Sequence, residues 1–287
     1  MFSMRFVINL LASALLVSCA ARQTPNADSL TVSIAPEAYF VERLAGNAFE
    51  INVMVPQSVG HSNYSPLPSQ MVALSRSAAY LAVGQLDFEL TWRSRLTDAN
   101  PSMRWVDLNA GVDMIEGSCR HEHHHESGHH SVDPHYWMSP RGAALMARNI
   151  ASAIVGIRPS LAHSVDSALA VLTAQIDSVD AEFQKLAPDS LVFVVYHPAL
   201  AYLARDYAMT QLVLESDGNA PTPQGMCAMI DRAGRSDVRT VFIQKSFDVN
   251  LVSVVSETIG ARVVEINPEG ADWFAEMRRI YDGLKDD

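Results

Sequence analysis

Apolar positions along the chain fall into two series of short strand-like runs and amphipathic stretches, with one long amphipathic segment between them. In the first series, residues 30–34, 51–55, 79–83 and 104–108 read as strands. Residues 36–47 and 87–96 read as helices, the first carrying Ala38, Val41, Leu44 and Ala45 on one face. Ser139-Pro140 then supplies an N-cap and a first-turn proline for a helix reaching about residue 156. Leu161, Val165, Leu169, Leu172, Ile176, Val179, Phe183 and Leu186 recur at steps of three and four. That spacing predicts a helix over 160–187, roughly 40 Å long at about 1.5 Å per residue, ended by Ala187-Pro188-Asp189. The second series predicts strands at 191–196, 211–214, 240–243 and 262–266, with helices at 199–207, 223–234, 249–260 and 271–284. Two runs of β-α-β units imply an α/β protein: two parallel-sheet lobes joined by one long rigid helix. Ligands of such lobes sit beyond the carboxyl ends of the strands, which places a site in the cleft between lobes.

The amino terminus is built differently. Arg5 precedes an apolar stretch from Phe6 to Val17, too short to span a bilayer, and then Ser18-Cys19. This reads as a cleaved export signal over 1–18. Leu16-Val17-Ser18-Cys19 resembles the bacterial lipobox, which implies that Cys19 is lipidated and anchors the chain to a bilayer; the alternative is an ordinary signal with an incidental cysteine. Residues 19–29 read as a flexible tether. The expected organisation is then an N-terminal lobe over 30–138, a helical link over 139–188 and a C-terminal lobe over 189–287. The protein is expected outside the cytoplasm, in the periplasm or at the cell surface, as a monomer. The two other cysteines, Cys119 and Cys227, fall in different lobes, and no disulfide is assigned to them.

Composition narrows the function classes. With 48% hydrophobic and 18% charged residues the chain can build real cores. Its 21 Lys+Arg against 32 Asp+Glu, a formal charge of -11, argues against a nucleic-acid or anionic-membrane surface. Against this background, three histidines stand just after predicted strands beside prolines: His61, His135 and His197. Each alone reads more readily as a structural or exposed loop residue. Together they suggest a zinc site, because neutral imidazole is a common zinc ligand and three nitrogens leave one tetrahedral position to fill.

The segments around these histidines carry a family resemblance. Gly60-His61-Ser62-Asn63-Tyr64-Ser65-Pro66, Asp133-Pro134-His135-Tyr136-Trp137-Met138-Ser139-Pro140 and Tyr196-His197-Pro198-Ala199-Leu200 resemble, in order, the three ligand motifs of the zinc- and manganese-binding receptors of ABC importers (cluster A-I). Asn219-Ala220-Pro221-Thr222-Pro223 and Val241-Phe242-Ile243-Gln244-Lys245-Ser246-Phe247-Asp248 match further segments, and the zinc-uptake ZnuA type is the nearest. The resemblance implies a binding protein that captures Zn2+ and passes it to a membrane ABC permease, and implies no enzymatic activity. One departure stands out. Family members often carry Asp in the last strand-end motif, where this chain has Glu265-Ile266-Asn267-Pro268. The fourth metal position therefore falls to Asn267, a water, Glu265 or Glu269, or else Asn267 is only a turn residue before Pro268. Three histidines without that Asp favour zinc over manganese or iron, which prefer oxygen ligands.

A second feature lies just ahead of the middle motif. His121, His123, His124, His125, His129 and His130, interspersed with Glu122 and Glu126, cannot form a core and read as a surface loop over 119–132 that takes divalent metal weakly. Asp133 and Glu215 are candidates to orient ligand histidines from behind, or merely to cap. Trp137 reads as a wall of the pocket, while Trp92, Trp105 and Trp273 read as core or lobe packing. A zinc hydrolase is the competing class, but no His-Glu-x-x-His helix occurs and Glu265 alone would have to act as base.

Overall fold

Short strands with continuous apolar runs need cover on both faces, and such runs pair most readily in parallel sheets flanked by helices. The computed structural model describes residues 26–57, 60, 64–116, 132–186, 191–215, 219–244, 247 and 249–285. The first lobe contains β1 (Asn26–Val32), α1 (Ala35–Ala45), β2 (Glu50–Val53), α2 (Pro68–Leu74), β3 (Ser77–Ala82), α3 (Asp87–Ala99) and β4 (Arg104–Asp107). Its sheet runs β2-β1-β3-β4 with every pair parallel. Two helices follow, α4 (Pro140–Ile157) and α5 (Ala162–Phe183). The second lobe contains β5 (Val192–Val195), α6 (Ala201–Asp206), β6 (Thr210–Val213), α7 (Pro223–Arg235), β7 (Thr240–Gln244), α8 (Val249–Ile259), β8 (Arg262–Ile266) and α9 (Trp273–Leu284). It repeats the first order as β6-β5-β7-β8, again all parallel. Among the described residues no helix is long and apolar enough to cross a membrane.

The joining helix is shorter than its apolar spacing suggests. Pro159–Leu161 forms a single tight turn, and α5 proper covers 22 residues. Its buried positions Val165, Leu172, Ile176 and Phe183 come from the predicted stripe. At the other end β1 begins at Asn26, inside the stretch expected as a tether. Asn26 pairs with Ser77 before the register shifts toward Leu30, and pairing of backbone groups at polar positions leaves little mark on hydrophobic patterning. The export signal, Cys19, His61, Cys119 and the histidines of 121–130 lie outside the described residues.

What makes the joint stiff is a core continuous through it. Phe193, Val195, Phe242, Trp273 and Met277 of the second lobe belong to the same buried cluster as Leu30, Tyr80 and Phe40 of the first and Ile150 and Leu172 of α4 and α5. Successive residues of β5 and the residue after it serve opposite faces: Phe193 and Val195 enter this shared cluster, while Val194 and Tyr196 enter a second one under α7 and α8. Each large apolar side chain buried this way contributes about 1.5–3 kcal/mol.

The first lobe also buries two acids. Glu37 Oε2 accepts the Ser33 and Ile34 N–H groups at 2.7 and 2.9 Å. Glu89 accepts the N–H groups of Val83 and Gly84, each at 2.7 Å, and the Ser33 hydroxyl. Both sit in the first turn of a helix, where the dipole favours a carboxylate, yet neither makes an ion pair among the described residues. Burial dominates: it pushes Glu89 up to about 7 from 4.5. It also pushes Glu37 well above its ordinary value, with the Glu89 charge adding to the shift. The folded protein thus holds protons that the unfolded chain has already released, so stability falls as pH rises from about 4.5 to about 7. In E89Q the Glu89 share of that fall should vanish, although the variant is less stable overall because an amide N–H then faces backbone donors. Urea unfolding of the metal-free protein at pH values bracketing that window checks this; a slope unchanged from the parent would contradict it.

Candidate metal centre

Asp133 organises the segment that carries His135. Its Oδ1 accepts the His135 backbone N–H at 2.8 Å and lies 2.8 Å from the ring Nδ1. Tyr136–Met138 then forms one tight turn, and Ser139-Pro140 opens α4. Gly142 lets that helix press against the turn: a Cβ there would lie 1.9 Å from the Tyr136 carbonyl oxygen. From the other lobe the Tyr202 hydroxyl of α6 donates to the Asp133 carbonyl at 2.6 Å and accepts the Ile115 N–H at 3.1 Å. Burial pushes the Tyr202 phenol up to about 12, which keeps its proton in place as a donor.

His197 is held with comparable completeness. It follows β5, and the Gln244 side chain at the end of β7 brackets its backbone, accepting its N–H at 3.3 Å and donating to its carbonyl at 2.9 Å. Its Nδ1 lies 2.9 Å from Glu215 Oε1, and Glu215, just past β6, is itself tied by its N–H to the Tyr196 carbonyl at 3.1 Å. The Phe247 ring stacks beside it with centroids 6.0 Å apart. Three neighbouring strand ends therefore deliver the histidine, its carboxylate and its amide clamp, as the crevice rule expects.

The two imidazoles meet across the lobes, with ring centroids 5.2 Å apart and planes at 76°. Each turns its Nδ1 to a carboxylate. That partner places the proton on Nδ1 and the lone pair on Nε2, the arrangement that carboxylate–histidine–metal sites use. Asp133 and Glu215 thus act on the rings themselves, beyond any capping role. Asp133 Oδ2 is buried with no hydrogen-bond partner among the described residues. A buried carboxylate oxygen in that condition is costly, and a cation carried by the attached imidazole would offset it.

Asn267 follows β8 in a tight turn. Its side-chain oxygen accepts the Glu269 N–H at 3.2 Å, its carbonyl accepts the Gly270 N–H at 2.8 Å, and its own N–H donates to Glu276 Oε1 at 2.8 Å. The turn role expected for it is therefore filled. Glu265 is exposed on the edge strand and Glu269 is half-buried in the turn. His61 lies outside the described residues, between Gly60 and Tyr64, whose hydroxyl donates to Gln70 at 2.7 Å. Among the described residues no group of three or more His, Cys, Asp or Glu side chains is placed to hold one ion; His135 and His197 are the pair the fold brings together. Gln244 and Tyr202 have roles here that sequence reasoning did not assign. A polar residue closing the apolar run of β7 was the one available signal for Gln244.

The ZnuA family model, described as the periplasmic component A of zinc-uptake complexes, matches residues 30–286. The chain is 22% identical over 277 residues to the "High-affinity zinc uptake system protein ZnuA" of Bacillus subtilis (strain 168), an alignment covering 88% of this chain and 84% of that protein. A crystal structure of ZnuA superposes with a TM-score of 0.80 at 30% identity, covering 91% of this chain and 100% of that one. A ZnuA deletion mutant with zinc bound gives the same TM-score at 29% identity, again over 91% of this chain and 100% of that one. With a match running from within the first strand to beyond the last helix, the chain belongs to the ZnuA family.

Proposed function

We propose that this protein is the extracytoplasmic receptor of an ABC importer. It captures one Zn2+ in the cleft through His61, His135 and His197 and delivers it to a membrane permease. The observation that carries the reading is the spacing of the two rings. With Zn–N bonds of about 2.0–2.1 Å and a ring centre about 1.1 Å beyond the nitrogen, two imidazoles at a tetrahedral angle have centroids about 5.2 Å apart. The observed separation is 5.2 Å. His61 supplies the third nitrogen from the loop after β2, and the fourth position goes to Asn267, a water, Glu265 or Glu269. A nitrogen-rich set favours zinc over manganese. Hydrolysis lacks support: Asp133 and Glu215, the carboxylates beside the rings, both face Nδ1, on the side away from Nε2. Cys19 anchors the exported monomer to the bilayer through its lipid.

The histidines at 121, 123, 124, 125, 129 and 130 act separately, taking up metal weakly. Elemental analysis and calorimetry of the mature protein test the division. One tight zinc per chain is expected, with additional weak ions that disappear when residues 121–130 are deleted. The weak ions of the histidine tract should be lost as pH falls through about 6.5, where free imidazoles take up protons. Loss of the tight site in the loop deletion would contradict the assignment.

A further inference from the structure

Trp137 stands two residues after His135, fully buried, with its ring centroid 5.2 Å from that imidazole. Its position in the ligand segment would ordinarily make it a wall. Its polar contacts point elsewhere. The indole N–H donates across the lobes to the Pro268 carbonyl at 2.8 Å, one residue past Asn267. The Trp137 carbonyl in turn accepts the indole N–H of Trp273 at 2.7 Å, and Trp273 is the first residue of α9, after the Asn267 turn and the N-cap Asp272. A single residue of the His135 segment is thus bonded to both ends of the stretch from Asn267 to α9. A third bond, from the Asn267 N–H to Glu276 Oε1, holds the turn on the α9 side.

We infer that Trp137 is a positioning residue of the metal site, holding the Asn267 turn of the C-terminal lobe at a fixed place beside His135. The inference rests on the proposed zinc site. It assigns Trp137 no contact with the ion. Both indole bonds are buried, so neither lobe surface can shift past the other without leaving a carbonyl or an N–H unsatisfied, which is the costly outcome for a buried polar group. The arrangement therefore defines the direction from which the second lobe approaches the ion, and it fastens the turn whichever fourth ligand the turn supplies.

The test uses W137F in the mature chain, which keeps an aromatic ring and removes the donor. Zinc affinity should fall roughly tenfold, the lower end of what loss of a supporting residue costs a metal site. The visible absorption of the Co2+-loaded protein should change in position or intensity, a readout that a general loss of stability does not move in folded protein. Combining W137F with N267A should cost no more than the larger single loss, because both act through one turn. Parent-like zinc affinity and Co2+ spectrum in W137F, or losses that multiply in the double variant, would overturn the inference. If W137F fails to fold, W273F removes the second bond of the clasp and is judged by the same outcomes. H135A separates the two readings: tight zinc retained in H135A ends the proposed function, whereas tight zinc lost in H135A but kept in W137F ends only this inference.

Discussion

H135A is expected to weaken zinc binding by about two to three orders of magnitude while the chain still folds. Apparent binding free energies of about 10–16 kcal/mol are typical of four-ligand zinc sites, so one ligand carries on the order of 3–4 kcal/mol, and each 1.4 kcal/mol is about tenfold. Folding should survive because the segment remains held by the Tyr202 bond to Asp133 and by the packing of Gly142 on Tyr136. It should be weakened, since Asp133 would lose its ring partner inside the protein, a penalty of about 1–3 kcal/mol. H197A should cost similar affinity but less stability, because the His197 side chain is 15% exposed against 4% for His135. Chelator-competition calorimetry measures the first effect and thermal melting the second. Affinity within tenfold of the parent in H135A would remove that residue from the ligand set.

The second large effect is expected behind the rings. D133N and E215Q keep the shape and one acceptor of each carboxylate but remove its charge. Zinc affinity should drop between about tenfold and a hundredfold in each, the range found when a carboxylate behind a metal-bound histidine is lost. Asp133 should matter more than Glu215. It serves both the backbone and the ring of His135, it is more deeply buried, and its second oxygen has no donor to share the charge. The same competition assay separates the pair, and equal affinity in D133N and the parent would show that the charge does not act on the ion.

How far the sequence announced this arrangement depends on which force fixed each residue. The two βα series and the long linking stripe were legible because parallel sheets and amphipathic helices impose their periods on apolar residues directly, as Val165, Leu172, Ile176 and Phe183 show. Asp133 beside His135 was legible for a local reason, being two residues away. Like Asp133, Glu215 was only a candidate, and its pairing with His197 is the less local one: 18 positions separate them and adjacency of β5 and β6 brings them together. Glu37 and Glu89 gave no warning of burial: acids in a first helical turn are ordinary on a surface, and only tertiary cover makes these two a proton-holding pair. The Trp137 bond to Pro268 spans 131 positions and leaves no local trace. Trp105, expected as core or lobe packing, is half-buried against the first lobe's core and stacked on Tyr80 with centroids 4.3 Å apart.

Anomalous diffraction at the zinc absorption edge from zinc-loaded crystals shows whether rings from both lobes share a single ion. One strong peak is expected about 2.0–2.1 Å from Nε2 of both His135 and His197, with the His61 imidazole completing three nitrogens. A peak bound to other side chains, with those two nitrogens out of bonding reach of any common ion, would contradict it.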